Sequence, residues 1–578
     1  MPSRTGTAHV VTTTRKYKDR VYRTHLLRRS YREDGVVKNE TLGNLSHLPE
    51  PLIDLIRRSL QGEQFVPLGQ GFEIIRSRAH GAVQAVSAAM QRLGLASVLA
   101  ATPCRERELV SAMIAARIVA PHTKLATTRW WHTTTLAEDF GVAEADEDDL
   151  YAAMDWLLAR QDKIQKKLAQ RHLSAGSLVL YDLSSSYFEG TTCPLAKIGY
   201  SRDGRKGSLQ VNYGVLTDAR GCPVAVSVYE GNIGDSLTLM PELKRLREQF
   251  GVEQLVMVGD RGMISQKSIE QMRQTDGIGW ISALKSASIR TLVEQSHLQL
   301  DLFDERNLLE ISSPDYPGER LVACRNPQLA KLRSHKREEL LAATERNLEK
   351  IKARVEAGKL LGADEIGLRV GKVIHQYQVA KHFELAITKD SFTFTRKTAA
   401  IAAEAALDGI YIIRTSVSSA QMSAPDCVRN YKALANVERA FRSLKTIDLK
   451  VRPIHHRTED RVRAHILLCL LAYYVEWHLR EAWRELMFAD PDQQAKATRD
   501  PVAPARRSQA ALAKAASHTL EDGSPVHSFA SLLAELATIV RNTCRAPHAG
   551  TDAATFEILT TPNSKQRRAL ELVQQLQA

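Results

Sequence analysis

Cysteine is scarce and scattered: seven in 578 residues (Cys104, Cys193, Cys222, Cys324, Cys427, Cys469 and Cys544), with no CxxC pair. A disulfide framework or zinc knuckle is thereby excluded on spacing, and free thiols in a reducing cytosol are expected. A long apolar run is missing too. The best window, Ile466 to Val475, is too short to span a bilayer, and the opening MPSRTGTAHVVTTTRKYKDR lacks the apolar core of a signal peptide. The expectation is a soluble, intracellular chain. No internal repeat is visible. Acid is in deficit: 66 Asp and Glu stand against 79 Lys and Arg, for a net charge of +13 and a pI near 9.3, which favours a polyanionic partner.

The length exceeds what one core holds, so about three to five domains are expected at roughly 100–200 residues each. Residues 1–65 read as a basic β-arm, with a turn at Glu33, Asp34 and Gly35 between two strands. Residues 66–175 turn helical, with runs such as HGAVQAVSAAMQRLGLASVL that could dock DNA or a second subunit, or simply form bundle core. From 176 to 290 strands are predicted at 177–188, 208–217, 222–230, 254–259 and 278–284, with helices at 235–250 and 266–275. Three strands followed by alternating helices and strands is the order of an α/β ribonuclease H-like core. Residues 291–405 read as a β-rich insertion whose helix, about 328–357, is charged nearly all round and therefore a solvated strut. The core pattern resumes over 406–485, with a strand at 409–416 and helices at 428–445 and 459–485. The stretch DPDQQAKATRDPVAPARRSQ reads as a linker into a helical C-terminal region, 486–578, ending near a helix at 526–542.

Three acids stand out against this pattern. Asp182 interrupts the apolar strand SLVLYDLSSSYFEG, where burying a carboxylate without a partner is costly; capping a turn with Ser184 to Ser186 is the plain alternative. Asp260 ends the strand of QLVMVGDRGM, where it could equally cap a helix. Glu438 lies in NYKALANVERAFRSLK, where Tyr431, Glu438, Arg442 and Lys445 fall close to one helical face, or where Glu438 simply pairs with Arg442 at i,i+4. Taken together, two strand-borne aspartates and a helix-borne glutamate supply the hard oxygen ligands that Mg²⁺ or Mn²⁺ prefers, with no Cys/His set competing for zinc. Two such ions about 3.5–4 Å apart serve phosphodiester chemistry.

The blocks YDLSSSYFEG, GYSRDGRKGSLQVNYGVLTD, EGNIGDSLTL, VGDRGM and the Tyr431 to Lys445 segment resemble a DDE transposase of a bacterial insertion sequence, of insertion-sequence family 4 in the broad sense and its 1634-like branch, over about residues 20–480. The resemblance implies that Asp182, Asp260 and Glu438 are the catalytic, metal-binding triad. It also implies cut-and-paste DNA transposition by two-metal hydrolysis and strand transfer at terminal inverted repeats, a homodimer on paired ends, and a cytoplasmic, nucleoid-associated protein. Tyr431, Glu438 and Lys445 keep the family spacing, while Leu434 stands where the family carries Arg; Arg439 and Arg442 are the candidates to replace its phosphate contact. Tyr411 is placed near a residue that stacks a flipped base in hairpin-forming relatives, or is simply a buried strand tyrosine. The alternative functions are a ribonuclease H-like structure-specific nuclease and a DNA-binding protein that has lost catalysis.

Overall fold

Runs of β-branched residues joined by tight turns build the N-terminal part of the chain. In the computed structural model, which describes residues 6–18, 20–63, 65, 71–303, 306–503, 505–547 and 552–577, the strands Thr7–Tyr17, Arg20–Glu33 and Val36–Asn44 form an antiparallel sheet. Asp34 and Gly35 both have positive φ, 52° and 77°, the conformation a two-residue hairpin turn needs. A two-stranded arm is thus corrected to three strands: TAHVVTTTRKY carries the β-branched signal and pairs along its whole length with Arg20–Glu33. Residues 66–70, where the arm was expected to give way to helices, lie outside the described residues. The chain divides into two units, Met1–Ser77 with Asn542–Leu559 and Arg78–Arg541 with Thr560–Ala578. A further correction concerns the stretches expected to be helical. Glu73–Ala79, Val540–Arg545 and Thr555–Leu559 form a three-stranded sheet in which Val540–Arg545 pairs with Glu73–Ala79 from over 460 residues away, a pairing no local window can reveal.

The larger unit is organised by a nine-stranded mixed sheet. Its order is Leu308–Ile311, Arg320–Arg325, Ile410–Thr415, Ile278–Ala283, Leu255–Val258, Ser177–Tyr187 and Leu209–Asp218, the last flanked by both Lys197–Ile198 and Pro223–Glu230. Leu255–Val258 pairs in parallel with Ser177–Tyr187 on one side and Ile278–Ala283 on the other; the remaining pairs are antiparallel. Antiparallel strands first and parallel crossovers after is the ribonuclease H-like arrangement, and the crossovers run through the helices Asp235–Glu248 and Gln266–Arg273. Both faces of the sheet are covered, as the strand alternation dictates. Val179, Tyr181 and Leu183 pack with Leu239, Leu243 and Leu246 of the first crossover helix, whereas Leu180, Val258 and Ile413 pack with Val437, Ala440 and Phe441.

The helices Arg105–Val119 and Glu459–Ala482 are buried along almost their full length, so the helical region before the sheet is bundle core. Among the described residues no helix is long and apolar enough to cross a membrane. The long helix of the insertion, Pro327–Glu356, is only half a strut. Its Leu341, Leu348, Ile351 and Val355 recur at helical spacing and share a small core with Ile366, Val370 and Phe383, while Arg396 forks onto Glu345 through Nε and Nη2, each at 2.6 Å. The presumed linker after 488 is also docked. Arg429 Nη2 donates to the Arg499 carbonyl at 3.1 Å, Lys432 Nζ to Pro501 at 2.5 Å and Asn326 Nδ2 to Val502 at 3.1 Å. Val502 is buried beneath them, which accounts for order in a Pro- and Ala-rich stretch.

Candidate active site

Strand register brings the two aspartates together. Leu180 is opposite Val258 in the parallel pair; Asp182 follows two residues later in its strand and Asp260 two residues later in the turn beyond its own. Asp182 is half-buried; its Oδ1 accepts from the Leu183 N–H at 2.8 Å. Burial pushes its carboxyl up to about 7, with the charges of Asp260 and Asp235 adding to the rise and the Leu183 N–H and Arg202 opposing it. Asp260 is exposed in the turn after its strand. Its Oδ1 accepts from Gly262 N at 2.9 Å and Met263 N at 2.7 Å, so the turn-capping geometry is present, and it orients the carboxylate.

Glu438 is exposed on a short helix anchored by buried Val437, Ala440 and Phe441. Among the described residues it forms no ion pair, so the i,i+4 pair with Arg442 is absent and the carboxylate is left to the cleft. Tyr431 links the set: its hydroxyl is raised by burial and then by the charges of Asp260 and Glu438, with Arg261 opposing. The charge of Asp260 acts on Asp182, and the charges of Asp260 and Glu438 both act on Tyr431. The oxygens of the three acids do not form a group lying wholly within 4.8 Å. The donor set nonetheless fits a hard divalent cation: all three groups are carboxylates, and burial raises one of them, Asp182.

The single-face reading of Tyr431 to Lys445 does not hold. The expected helix 428–445 divides into Ala424–Lys432 and Leu434–Arg442, then a π turn at Ser443–Ile447. At the break the Ala433 N–H is shared between the Arg429 and Asn430 carbonyls, and the Asn436 N–H reaches back only three residues. The wider π turn rotates Lys445 inward, where its Nζ is 3.0 Å from Asp203 Oδ1 and only 8% of the residue is exposed. Asp203 also pairs with Arg452, and its Oδ2 accepts from the Tyr187 N–H at 3.1 Å. Arg439 and Arg442 are exposed on the Glu438 helix. Tyr411 is half-buried, with Lys432 Nζ 5.6 Å from its ring centre.

Arg202, Asp203 and Arg205, which lie in the block GYSRDGRKGSLQVNYGVLTD without a role, and Arg452, which lies in none of the blocks, make specific contacts. Asp203, Arg205 and Arg452, with Tyr187, Lys445, Thr446 and Lys450, line a basic cavity of about 360 Å³, and the Arg205 guanidinium lies 3.9 Å over the Tyr187 ring. Arg202 pairs with Asp235 and lowers the Asp182 carboxyl from nearby. The serines after Asp182 gain a purpose: Ser185 Oγ accepts from Arg202 N at 3.0 Å, holding the 200–203 loop over the strand. The signal for all of these but Arg452 was the density of charge in SRDGRKG and GNIGD.

A ribonuclease H-like sheet with aspartates at adjacent central strands defines a class, the divalent-metal phosphoryl-transfer enzymes that act on nucleic acids. A family model described as the transposase DDE domain matches residues 176–475, and one described as the IS1634 family transposase N-terminal domain matches residues 10–66. The chain belongs to the DDE transposases, in the IS1634 branch, and is a metal-dependent DNA-cleaving and strand-transfer enzyme. Among solved structures it is similar to a piggyBac transposase synaptic complex with hairpin DNA, at a TM-score of 0.33 and 8% identity over 79% of this chain and 78% of that one. A search of curated proteins finds no match.

Proposed function

We propose that the protein performs cut-and-paste transposition of its insertion sequence, nicking at the terminal inverted repeats and joining the freed 3′-hydroxyl to target DNA. Asp182, Asp260 and Glu438 would hold two Mg²⁺ or Mn²⁺ ions. When bound, these ions activate the attacking oxygen and stabilise the leaving one. The observation that supports this reading is a carboxylate, Asp182, set half-buried in a central strand two residues beyond the Leu180 and Val258 pairing that leads to Asp260.

The protein's own residues do the rest. Met263 and Gly262 N–H groups orient Asp260, and the Ser185-held loop keeps Arg202 near Asp182. Lys445, Arg205, Lys450 and Arg452 form a basic wall for the phosphodiester backbone, while Arg439, Arg442 and Tyr431 flank Glu438 along the DNA. Tyr411, under Lys432, is assigned to the flipped end only if the 499–502 segment lifts. A homodimer on nucleoid DNA, with residues 1–65, 66–175 and 486–578 recognising and pairing the ends, completes the reading.

Labelled element ends incubated with the protein, Mg²⁺ and a target plasmid test it. Joined products are expected; hydrolysed ends without joining would make the protein a structure-specific nuclease instead. Unchanged processing by Asp182→Ala would overturn the site.

A further inference from the structure

Three distant stretches of chain meet at one buried point away from the acidic cleft. His172 ends the helix Gln161–His172, Cys222 lies in the turn before Pro223–Glu230, and His478 is near the end of Glu459–Ala482. Cys222 Sγ is 3.8 Å from His172 Nε2 and 3.8 Å from His478 Nε2, and the three donor atoms all fall within 4.8 Å of one another. Among the described residues no other group of three or more His, Cys, Asp or Glu donors is so close. Cys222 is fully buried and His478 is 6% exposed.

As hydrogen bonds, with the thiol donating to one imidazole and accepting the N–H of the other, the two contacts are long and weak at 3.8 Å. A tetrahedral zinc explains both contacts. With Zn–S of about 2.3 Å and Zn–N of about 2.0–2.1 Å, sulfur and nitrogen stand about 3.6 Å apart. We propose that His172, Cys222 and His478 bind one Zn²⁺ ion, which staples the helical layer to the first hairpin of the sheet.

The surroundings are consistent with that chemistry. Neutral imidazoles and a thiolate are the forms that ligate, so binding forms the Zn–S bond, breaks the Cys222 S–H bond and releases one proton to solvent. The Tyr474 hydroxyl now hydrogen-bonds His172 Nε2 at 3.0 Å and must release that nitrogen to the metal, whose fourth ligand would be a water. Arg220 Nη2 now lies 3.4 Å from His172 Nδ1, which must carry the proton in the bound state. The guanidinium is 62% exposed and already paired with Asp218 at 2.7 Å, toward which it can withdraw. Nitrogen and sulfur donors here, against carboxylates in the cleft, sort a borderline-soft ion from hard ones.

The test uses the full chain, stripped by chelator and titrated with Co²⁺ in excess Mg²⁺, which occupies the carboxylates. One cobalt per chain with a thiolate-to-cobalt charge-transfer band is expected, absent in Cys222→Ser. In His478→Gln the affinity should fall by more than the roughly 10–100-fold that outer-shell changes cost. Zn²⁺ should raise the melting temperature of the wild type and not that of Cys222→Ser. No band in the wild type, or a band that persists in Cys222→Ser, overturns the proposal. If Cys222→Ser does not fold, unchanged cobalt affinity in His478→Gln overturns it equally.

Discussion

The acidic cleft and the His172, Cys222 and His478 cluster are built on opposite terms. Asp182 faces Val215 of the strand Leu209–Asp218, and Cys222 lies in the turn that follows that strand. The cleft is open, made of carboxylates, and bordered by exposed Glu438 and Asp260. The cluster is closed, made of nitrogen and sulfur, and covered by helices. The difference teaches that a site for a polymer must leave its acids accessible even at an electrostatic cost, whereas a site for stability can be sealed.

The largest test of that contrast is removal of an exposed acid. Asp260→Ala and Glu438→Ala should each reduce end cleavage at least about 10³-fold, some 4 kcal/mol in barrier, measured with labelled ends at saturating Mg²⁺ while the circular dichroism melt is unchanged. Next comes the basic wall. Asp203→Ala leaves Lys445 and Arg452 facing each other without their shared counter-charge and should cost about 3–5 kcal/mol in denaturant unfolding; a loss below about 1 kcal/mol would show that the cleft does not depend on this ion triad.

A smaller effect has the opposite sign. Asp182 sits near 7 in the folded protein against about 4 in the unfolded chain, so its ionisation opposes folding. That penalty is complete above about pH 7, shrinks as the pH falls and vanishes below about 4. Metal-free Asp182→Asn should therefore be more stable than the wild type by roughly 1–4 kcal/mol at pH 8, with the gap closing toward pH 4. A gap independent of pH would place the effect in packing. The smallest change is expected from Arg439→Ala and Arg442→Ala. Each should weaken DNA binding uniformly across sequences and reduce the salt slope by about one.

The core was legible because its signals are local. The apolar run before Asp182, the strand-to-turn edge at Asp260 and the helical spacing around Glu438 each lie within a dozen residues. Lys445 was misplaced because a 100° rule cannot foresee a π turn; a single wide turn carried it from the Glu438 face to Asp203. His172, Cys222 and His478 were invisible for another reason. Metal spacing is read along the chain, and these donors converge only after a helix end, a hairpin turn and a buried helix have docked. The strand Val540–Arg545 was missed likewise, since its partner Glu73–Ala79 precedes the entire catalytic core.

The docked segment at 499–502 has a consequence for the order of synthesis. Asp182, Asp260 and Glu438 have all been translated before the carbonyls of Arg499 and Pro501 exist to take up Arg429 and Lys432. A fragment that stops short of them possesses every acid and lacks the latch behind the helix that precedes Glu438. The helix that precedes Glu438 is thereby braced by chain made only after every acid of the triad.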